Sequence, residues 1–169
     1  MLETSHRRCL VEVPKVKAGG IIRNDGLAKI GIMSAPDRPG LAAAVLRTLG
    51  EEGINTEFVV QCIDLSDHSH VILCVAEDDL DAALAALKPV KTKVKAEAII
   101  SQRKMTLLSV FGPDFRERPS IAAKVFEALA SVGINIMAIS TSISTVSCLV
   151  DGDMVDNAIV ALREQFEVP

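Results

Sequence analysis

The stretch PGLAAAV at residues 39–45, followed by GIN at residues 53–55, decides the fold of this chain because it occurs twice. The sequence PSIAAKV occupies residues 119–125, and a second GIN occupies residues 133–135. Matching residues of the two copies lie 80 positions apart, as 39 and 119 or 53 and 133 show. A repeat of this kind predicts two copies of one structural unit.

Each copy contains the same order of predicted elements. Its first helix carries an apolar stripe, Leu41, Val45 and Leu49 in the first copy, with Pro39 expected at the first helical position and Gly53 after the end. The predicted strands are 28–34, 54–63, 69–76 and 94–101, then 105–111, 134–141 and 144–150, and the predicted helices are 39–52, 78–87, 119–132 and 153–165. The βαββαβ order predicts an α+β fold with two ferredoxin-like units in tandem.

The domain organisation follows from this repeat. The second copy leaves little room for a fourth strand before Pro169, and the apolar pair Ile21-Ile22 can supply that strand from the N-terminal side. We therefore expect an N-terminal extension at 1–17, a strand at 18–27 that completes the second unit, a first unit at 28–102 and a second unit at 103–169.

The composition excludes several classes of protein. The net charge is −4 and only 3% of residues are aromatic, which argues against a nucleic-acid partner. No apolar run approaches the roughly 20 residues that a membrane span requires, and residues 1–9 do not form a signal peptide. The sequence therefore predicts a cytoplasmic protein without a membrane partner.

The residues that bind metals are sparse and scattered. Cys62, Cys74 and Cys148 lie in apolar, strand-like runs, which predicts buried free thiols. His68 and His70 flank one residue, but no third ligand is placed to complete a metal site. We expect neither a metal nor a cofactor.

The motifs of catalysis are also missing from the sequence. It contains no GxxxxGK or GxGxxG phosphate loop, and Ser140, Thr141 and Ser142 are not in the context of a nucleophile. The chain is therefore expected not to be an enzyme on its own.

The turn APDRPGL at residues 35–41 carries the one strong hint of a ligand. The N–H groups at the start of the following helix, near Gly40, Leu41 and Ala42, can bind a carboxylate. Asp37, or carbonyl groups of a facing strand, can hold an ammonium group. The two kinds of group together would suit a free amino acid. Alternatively, Asp37 simply caps the helix. The turn itself favours neither interpretation.

The turn at 36–40, the helix after it and the GIN triplet at 53–55 resemble the ACT domain, a ligand-binding module of amino-acid metabolism. The second copy, at 118–129, 133–136 and 139–142, makes the resemblance more specific, because it is similar to the second ACT domain of aspartate kinases. The resemblance covers about residues 21–166 and lacks the kinase catalytic domain. It implies a regulatory part of an aspartate kinase, under allosteric feedback inhibition in amino-acid biosynthesis.

The resemblance also implies which residues bind the effector, threonine or lysine, between ACT units. One effector site would use Asp37, Gly40, Leu41, Ala42 and Gln61 together with Asn135 and Ile136. A possible second site would use Asn55, Glu57, Arg118, Ala122, Thr141 and Ser142. The expected partners are this amino acid, a second copy of the chain in a homodimer and a kinase catalytic subunit.

The second copy departs from the pattern of the family at a few positions. Ser120 replaces the usual Gly, Arg118 replaces a frequent His, and Ile143 replaces a Glu that commonly follows Ser-Thr-Ser. The sequence ST at 144–145 replaces an Ile followed by a basic residue. Because Ile143 cannot pair with a lysine side chain, threonine is expected to bind better than lysine.

Other functions remain open on the sequence alone. One alternative is a stand-alone ACT sensor of another small metabolite that controls a different partner. A purely structural dimerisation module and an enzyme with an unfamiliar site are the remaining alternatives. Binding of an amino acid and co-purification with a kinase subunit distinguish among them.

Overall fold

The computed structural model describes residues 15–113, 115 and 119–169, which form eight strands and four helices. The helices are α1 (Leu41–Glu51), α2 (Leu80–Val94), α3 (Ile121–Ser131) and α4 (Val155–Gln165). The strands are β1 (Val16–Lys17), β2 (Gly20–Pro36), β3 (Phe58–Ile63), β4 (His68–Ala76), β5 (Ala98–Phe111), β6 (Ala138–Thr141), β7 (Thr145–Asp151) and β8 (Phe166–Glu167).

Six of the strands form one antiparallel sheet in the order β3-β4-β2-β5-β7-β6. The long strands β2 and β5 run side by side in its centre, and each belongs to both units. The second half of β2 pairs with β4, and the second half of β5 pairs with β7. Each unit therefore has a four-stranded ferredoxin-like sheet, which confirms the predicted α+β class.

The shared strands connect the units without a linker. Residues Gly20–Asn24 of β2 lie antiparallel to Leu107–Phe111 of β5, at the outer edge of the second unit's own strands. β2 crosses the expected boundary at 27/28, and β5 crosses the one at 102/103. The domain boundaries drawn from the sequence stay a prediction; both strands continue across them, although the register between β2 and β5 shifts between Leu27 and Lys29.

The helices cover the sheet with two separate apolar cores. The α1 stripe of Leu41, Val45 and Leu49 is buried against the first unit. The matching residues of α3, Ile121, Val125 and Leu129, are buried in the second. Burying each such side chain contributes roughly 1.5–3 kcal/mol, so the repeated stripe specifies where each first helix packs.

A third apolar cluster joins the two units. It contains Leu27, Phe58, Cys74, Met105 and Leu149, contributed by β2, β3, β4, β5 and β7. The edge strands β3 and β6 also contact each other, although they lie at opposite ends of the strand order. The sheet is therefore strongly curved.

None of the helices in the described part of the chain is both long and apolar enough to cross a membrane.

Several predicted element boundaries are wrong, including the starts expected at 54 and 134 for strands that begin at Phe58 and Ala138. α2 continues to Val94, so the strand expected from 94 begins at Ala98. Pro89 lies inside this helix, where it removes a backbone hydrogen bond. Burial of Leu87, Val90 and Val94 outweighs that loss because tertiary packing supplies most of a helix's stability. Pro39 is not the first helical residue either, since α1 begins at Leu41.

The cysteine prediction is correct for two residues and wrong for one. Cys74 and Cys148 are buried free thiols, and desolvation raises the pKa of each to about 12. Cys62 is exposed because β3 is an edge strand with no neighbour on its outer side. An apolar run indicates a strand, but the position of that strand in the sheet decides its burial.

Candidate functional site

A cleft of about 350 Å³ lies at the start of α1 and beside β3. It brings together the residues expected to form one side of the first effector site. Its lining consists of Asp37, Arg38, Pro39, Gly40, Leu41, Ala42, Ala43 and Gln61. The volume is of a size to hold a small metabolite.

The start of α1 supplies hydrogen-bond donors to this cleft. Gly40 precedes the helix with φ +94°, a left-handed conformation that glycine adopts without strain. No side chain caps the helix, and within the described residues the N–H groups of Ala42 and Ala43 have no backbone acceptor. These N–H groups and the positive end of the helix dipole favour a carboxylate.

Asp37 supplies an acceptor to the same cleft. Its Oδ1 atom accepts a hydrogen bond from the Ser69 hydroxyl at 2.8 Å, and its backbone N–H donates to the Asp67 carbonyl at 2.9 Å. Because α1 has no side-chain cap, the alternative in which Asp37 caps the helix is wrong. Its exposed carboxylate instead lies on the wall of the cleft.

Gln61 reaches the same serine from the neighbouring strand. The Gln61 Nε2 atom donates to Ser69 Oγ at 2.9 Å. Ser69 itself is 0% exposed and lies beneath the lining of the cleft. Reasoning from the sequence missed Ser69. The sequence did contain a sign of it, because Ser69 is a polar residue that shares the alternating, buried face of β4 with Val71, Leu73 and Val75.

The turn between β3 and β4 is organised by Asp64. Its Oδ1 atom accepts the backbone N–H groups of Ser66 and His68, and its Oδ2 atom lies 3.1 Å from His70 Nε2. The His68 N–H, then His70 and Ser66, lower the pKa of the Asp64 carboxyl to about 2. This turn also carries Asp67, whose carbonyl holds the Asp37 backbone.

The other expected side of the first site is not at this cleft. Asn135 and Ile136 lie in the connection between α3 and β6 of the second unit, and neither lines the cleft. The single chain therefore presents Asp37, Gly40, Leu41, Ala42 and Gln61 without these two residues.

A smaller cleft of about 230 Å³ occupies the corresponding position of the second unit. It brings together Ala122, Thr141 and Ser142, three of the residues expected at the second effector site. Its lining is completed by Phe115, Ser120, Ile121 and Val146. Arg118 lies outside the described residues.

The remaining residues of the second site lie elsewhere. Asn55 donates to Glu57 at 2.7 Å in the connection between α1 and β3, and Glu57 also accepts from Asn24 at 3.3 Å. Neither residue lines the second cleft. Ile143 is 66% exposed in the β6–β7 turn, outside the lining.

Another groove, about 650 Å³, lies between α1 and the end of α2. Its charged residues are Arg38, Arg47, Lys93 and Glu51, and the Arg38 guanidinium donates to the Lys93 carbonyl at 2.6 Å. The groove has more cationic than anionic side chains. The 350 Å³ cleft beside it has the free N–H groups of α1 on one side and the Asp37 carboxylate on the other. A zwitterion therefore fits the smaller cleft better. No cluster of three metal-ligating side chains occurs in the described ranges.

Comparison with known proteins identifies the family of this chain. Sequence models of the ACT domain match residues 30–91 and 108–166, which correspond to the two units. The regulatory subunit of aspartate kinase from Thermus thermophilus, in its ligand-free form, superposes with a TM-score of 0.80 at 31% identity. The match covers 89% of this chain and 99% of that one. The chain belongs to the ACT-domain regulatory subunits of the aspartate kinase family.

Further relatives extend this similarity. The aspartokinase of Thermus thermophilus is 34% identical over 143 residues, which is 83% of this chain and 35% of that protein. The chain thus spans about a third of the curated relatives that it matches and corresponds to their regulatory part. Escherichia coli aspartokinase III, in complex with lysine and aspartate, shares the fold with a TM-score of 0.67 at 16% identity. That match covers 90% of this chain and 34% of the other.

Proposed function

We propose that this ACT-domain chain binds a free amino acid and thereby controls the catalytic part of an aspartate kinase by feedback inhibition in the cytoplasm. The observation that carries the proposal is the cleft at α1. It offers the unpaired N–H groups of Ala42 and Ala43 to a carboxylate and the acceptors Asp37 and Gln61 to an ammonium group. Those are the two charged groups that every free amino acid has.

The second side of the site comes from another ACT unit. Asn135 and Ile136 approach the Asp37 cleft when a second copy of the chain brings its α3–β6 connection alongside α1. A ligand held between two units stabilises one relative orientation of them, so it shifts a conformational equilibrium that a catalytic partner can sense.

A homodimer provides this arrangement. The edge strands β3 and β6 contact each other, but each has only one hydrogen-bonded neighbour in the sheet, so both retain unpaired backbone groups for a second copy. Arg47 on α1 and Glu127 on α3 occupy corresponding positions of the repeat, are both exposed and have opposite charges. These charges favour a dimer in which α1 of one copy lies beside α3 of its partner.

Threonine is the effector that we favour over lysine. The described residues that line the second cleft include no acidic side chain, and Ile143 cannot pair with a lysine ammonium. A charge-assisted hydrogen bond contributes roughly 1.5–3 kcal/mol, so its absence weakens lysine binding by about tenfold or more. Lysine is bound by Escherichia coli aspartokinase III, which makes it the appropriate competitor in the test.

The proposal is tested by calorimetry of the full chain against all standard amino acids, followed by kinase assays. We expect threonine to bind more tightly than lysine and to inhibit an aspartate kinase catalytic subunit only when this chain is present. Tighter binding of lysine would contradict the choice of effector. Binding of an amino acid without co-purification of a kinase subunit would favour the alternative, an ACT sensor that controls a different partner.

The dimer is tested separately by light scattering. We expect a dimer at micromolar concentration, weakened in Arg47→Glu and restored when Glu127→Arg is added. A monomeric wild type, or a double variant no more dimeric than the single one, would contradict the proposed arrangement.

A further inference from the structure

Ser69 is a polar residue that lies fully buried in β4, at a position where the fold would accept an apolar side chain. It is the first inward-facing residue of β4 and is paired with Ala35 of β2 on one side and Ile63 of β3 on the other. Its side chain is 0% exposed, so an unpaired hydroxyl there would be costly. Its hydroxyl is instead bonded to two polar side chains of the first cleft, those of Asp37 and Gln61.

The direction of these hydrogen bonds is determined by the groups involved. An ionised carboxylate only accepts, so the single hydroxyl proton of Ser69 is donated to Asp37 Oδ1 at 2.8 Å. The Ser69 oxygen must then accept from Gln61, whose Nε2 atom lies 2.9 Å away. The Gln61 carboxamide nitrogen is therefore turned toward Ser69, which leaves its Oε1 atom free to accept another donor.

We propose that Ser69 is a positioning residue for the ammonium group of the amino-acid effector. By donating its proton to Asp37 and accepting from Gln61, it aims the free oxygens of these two side chains into the cleft as acceptors opposite the N–H groups of α1. Ser69 does not line the cleft and does not touch the ligand. This inference rests on the proposed function, since it specifies how the same site recognises a protonated amine.

In the second unit, the residue that corresponds to Ser69 is not buried beneath the cleft. Val146 pairs with Thr141 as Val71 pairs with Gln61, so Ser144 occupies the position of Ser69. Ser144 is exposed and lies in the β6–β7 turn rather than within the sheet. This position supplies a matched control variant for Ser69.

The experiment compares threonine with 3-hydroxybutyrate, which is threonine without its amino group, by NMR titration of the full chain. In Ser69→Ala we expect threonine affinity to fall about tenfold, while the weak affinity for 3-hydroxybutyrate changes less than about twofold. Ser69→Thr, which keeps the hydroxyl, and Ser144→Ala should both bind threonine like the wild type.

Three results would overturn the inference. The first is that Ser69→Ala binds threonine as tightly as the wild type does. Another is an equal loss of affinity for both compounds, which would indicate a general structural defect instead of a lost ammonium contact. The third is a Ser69→Thr variant as impaired as Ser69→Ala.

A ligand-free measurement separates this inference from the proposed function. The side-chain carboxamide signals of Gln61 should show slow hydrogen exchange in the wild type and in Ser69→Thr, and faster exchange in Ser69→Ala. Identical exchange in all three would overturn the role of Ser69. If no standard amino acid binds the wild type, the proposed function fails, and the exchange data still decide whether Ser69 orients Gln61.

Discussion

The two clefts of this molecule are built from copies of one sequence and yet offer different chemical groups. The first presents Asp37 and Gln61, joined through the buried Ser69. The second is lined mainly by small or apolar residues, including Phe115 and Val146, and is smaller, about 230 Å³ against about 350 Å³. The apolar stripes of the helices are alike, so the fold is preserved while the ligand-facing loops diverge.

The difference lies in two short segments. The first unit has five residues, Asp64 to His68, between Ile63 and Ser69, whereas in the second unit Ser144 follows Ile143 directly. The longer turn carries Asp64 and Asp67, which support β4 and the backbone of Asp37. The second segment is the residue before the first helix, Gly40 in one unit and Ser120 in the other, both left-handed.

The largest effect is expected from closing the first cleft with Gly40→Val. The space beside Gly40 is open, so the branched side chain would project where the ligand binds. We expect calorimetry to show a loss of threonine affinity on the order of 100-fold. The left-handed backbone should also reduce the free energy of unfolding by roughly 1–2 kcal/mol.

Ser120→Val is the matched control for that loss of stability. It introduces the same side chain at a similar backbone angle, φ +72° against +94°. Because Ser120 already has a Cβ atom at a left-handed φ, Ser120→Val should lower the melting temperature less than Gly40→Val, and it should keep its affinity for threonine at the first cleft. Full affinity in Gly40→Val would mean that the effector binds elsewhere.

Removal of the acidic group by Asp37→Ala should have the next largest effect. The carboxylate is expected to contribute a charge-assisted hydrogen bond to the ammonium group, so threonine affinity should fall about tenfold to 100-fold. The melting temperature should also fall, because Asp37→Ala leaves the buried Ser69 hydroxyl without its acceptor, even though Asp37 does not cap α1. Asp78→Ala, which removes an exposed carboxylate beyond the other end of β4, should bind normally; equal losses in both variants would indicate only a general charge effect.

A smaller gain is expected from Ile143→Glu. An acidic side chain in the β6–β7 turn can pair with a lysine ammonium, so lysine affinity should rise by up to about tenfold. Ile143→Gln has nearly the same size without the charge and serves as the control. If the two variants bind lysine equally well, the missing acid does not account for the preference for threonine.

The smallest effect is expected at Asp64, which has no counterpart in the second unit. Because its pKa is lowered to about 2 in the folded chain, its stabilisation is present above the ordinary pKa and is lost as pH falls through 2. Asp64→Asn should therefore reduce the free energy of unfolding at pH 7 and have little effect near pH 2. Asp67→Asn, in the same turn, is the control; an equal loss at both pH values would contradict the role of the ionised carboxylate.

Much of the fold could be predicted from local pattern. The stripe of Leu41, Val45 and Leu49 and its copy in α3 specify helices because apolar residues at that spacing share one face. The end of α2 could not be found in this way. Pro89 normally marks the end of a helix, and only the burial of Val90 and Val94 against the core extends α2 beyond it.

The candidate site also contains a part that could be predicted from local sequence and a part that could not. Asp37, Gly40, Leu41 and Ala42 are neighbours in sequence, so their proximity required only a turn and the start of a helix. Gln61 joins them because β3 lies beside β4, whose Ser69 bonds to both side chains. Asn135 and Ile136 are far along the chain and do not line the cleft, which local reasoning could not foresee.

The sequence alone determined that the chain consists of two βαββαβ units, because a repeat and its apolar periodicity depend only on the order of residues. Only the tertiary structure decided that β2 and β5 are shared between the units, that Cys62 is exposed and that the buried Ser69 bonds to both Asp37 and Gln61. These outcomes depend on which strands become neighbours. The pairing of strands far apart in sequence is set by the packing of the whole sheet, not by any local segment.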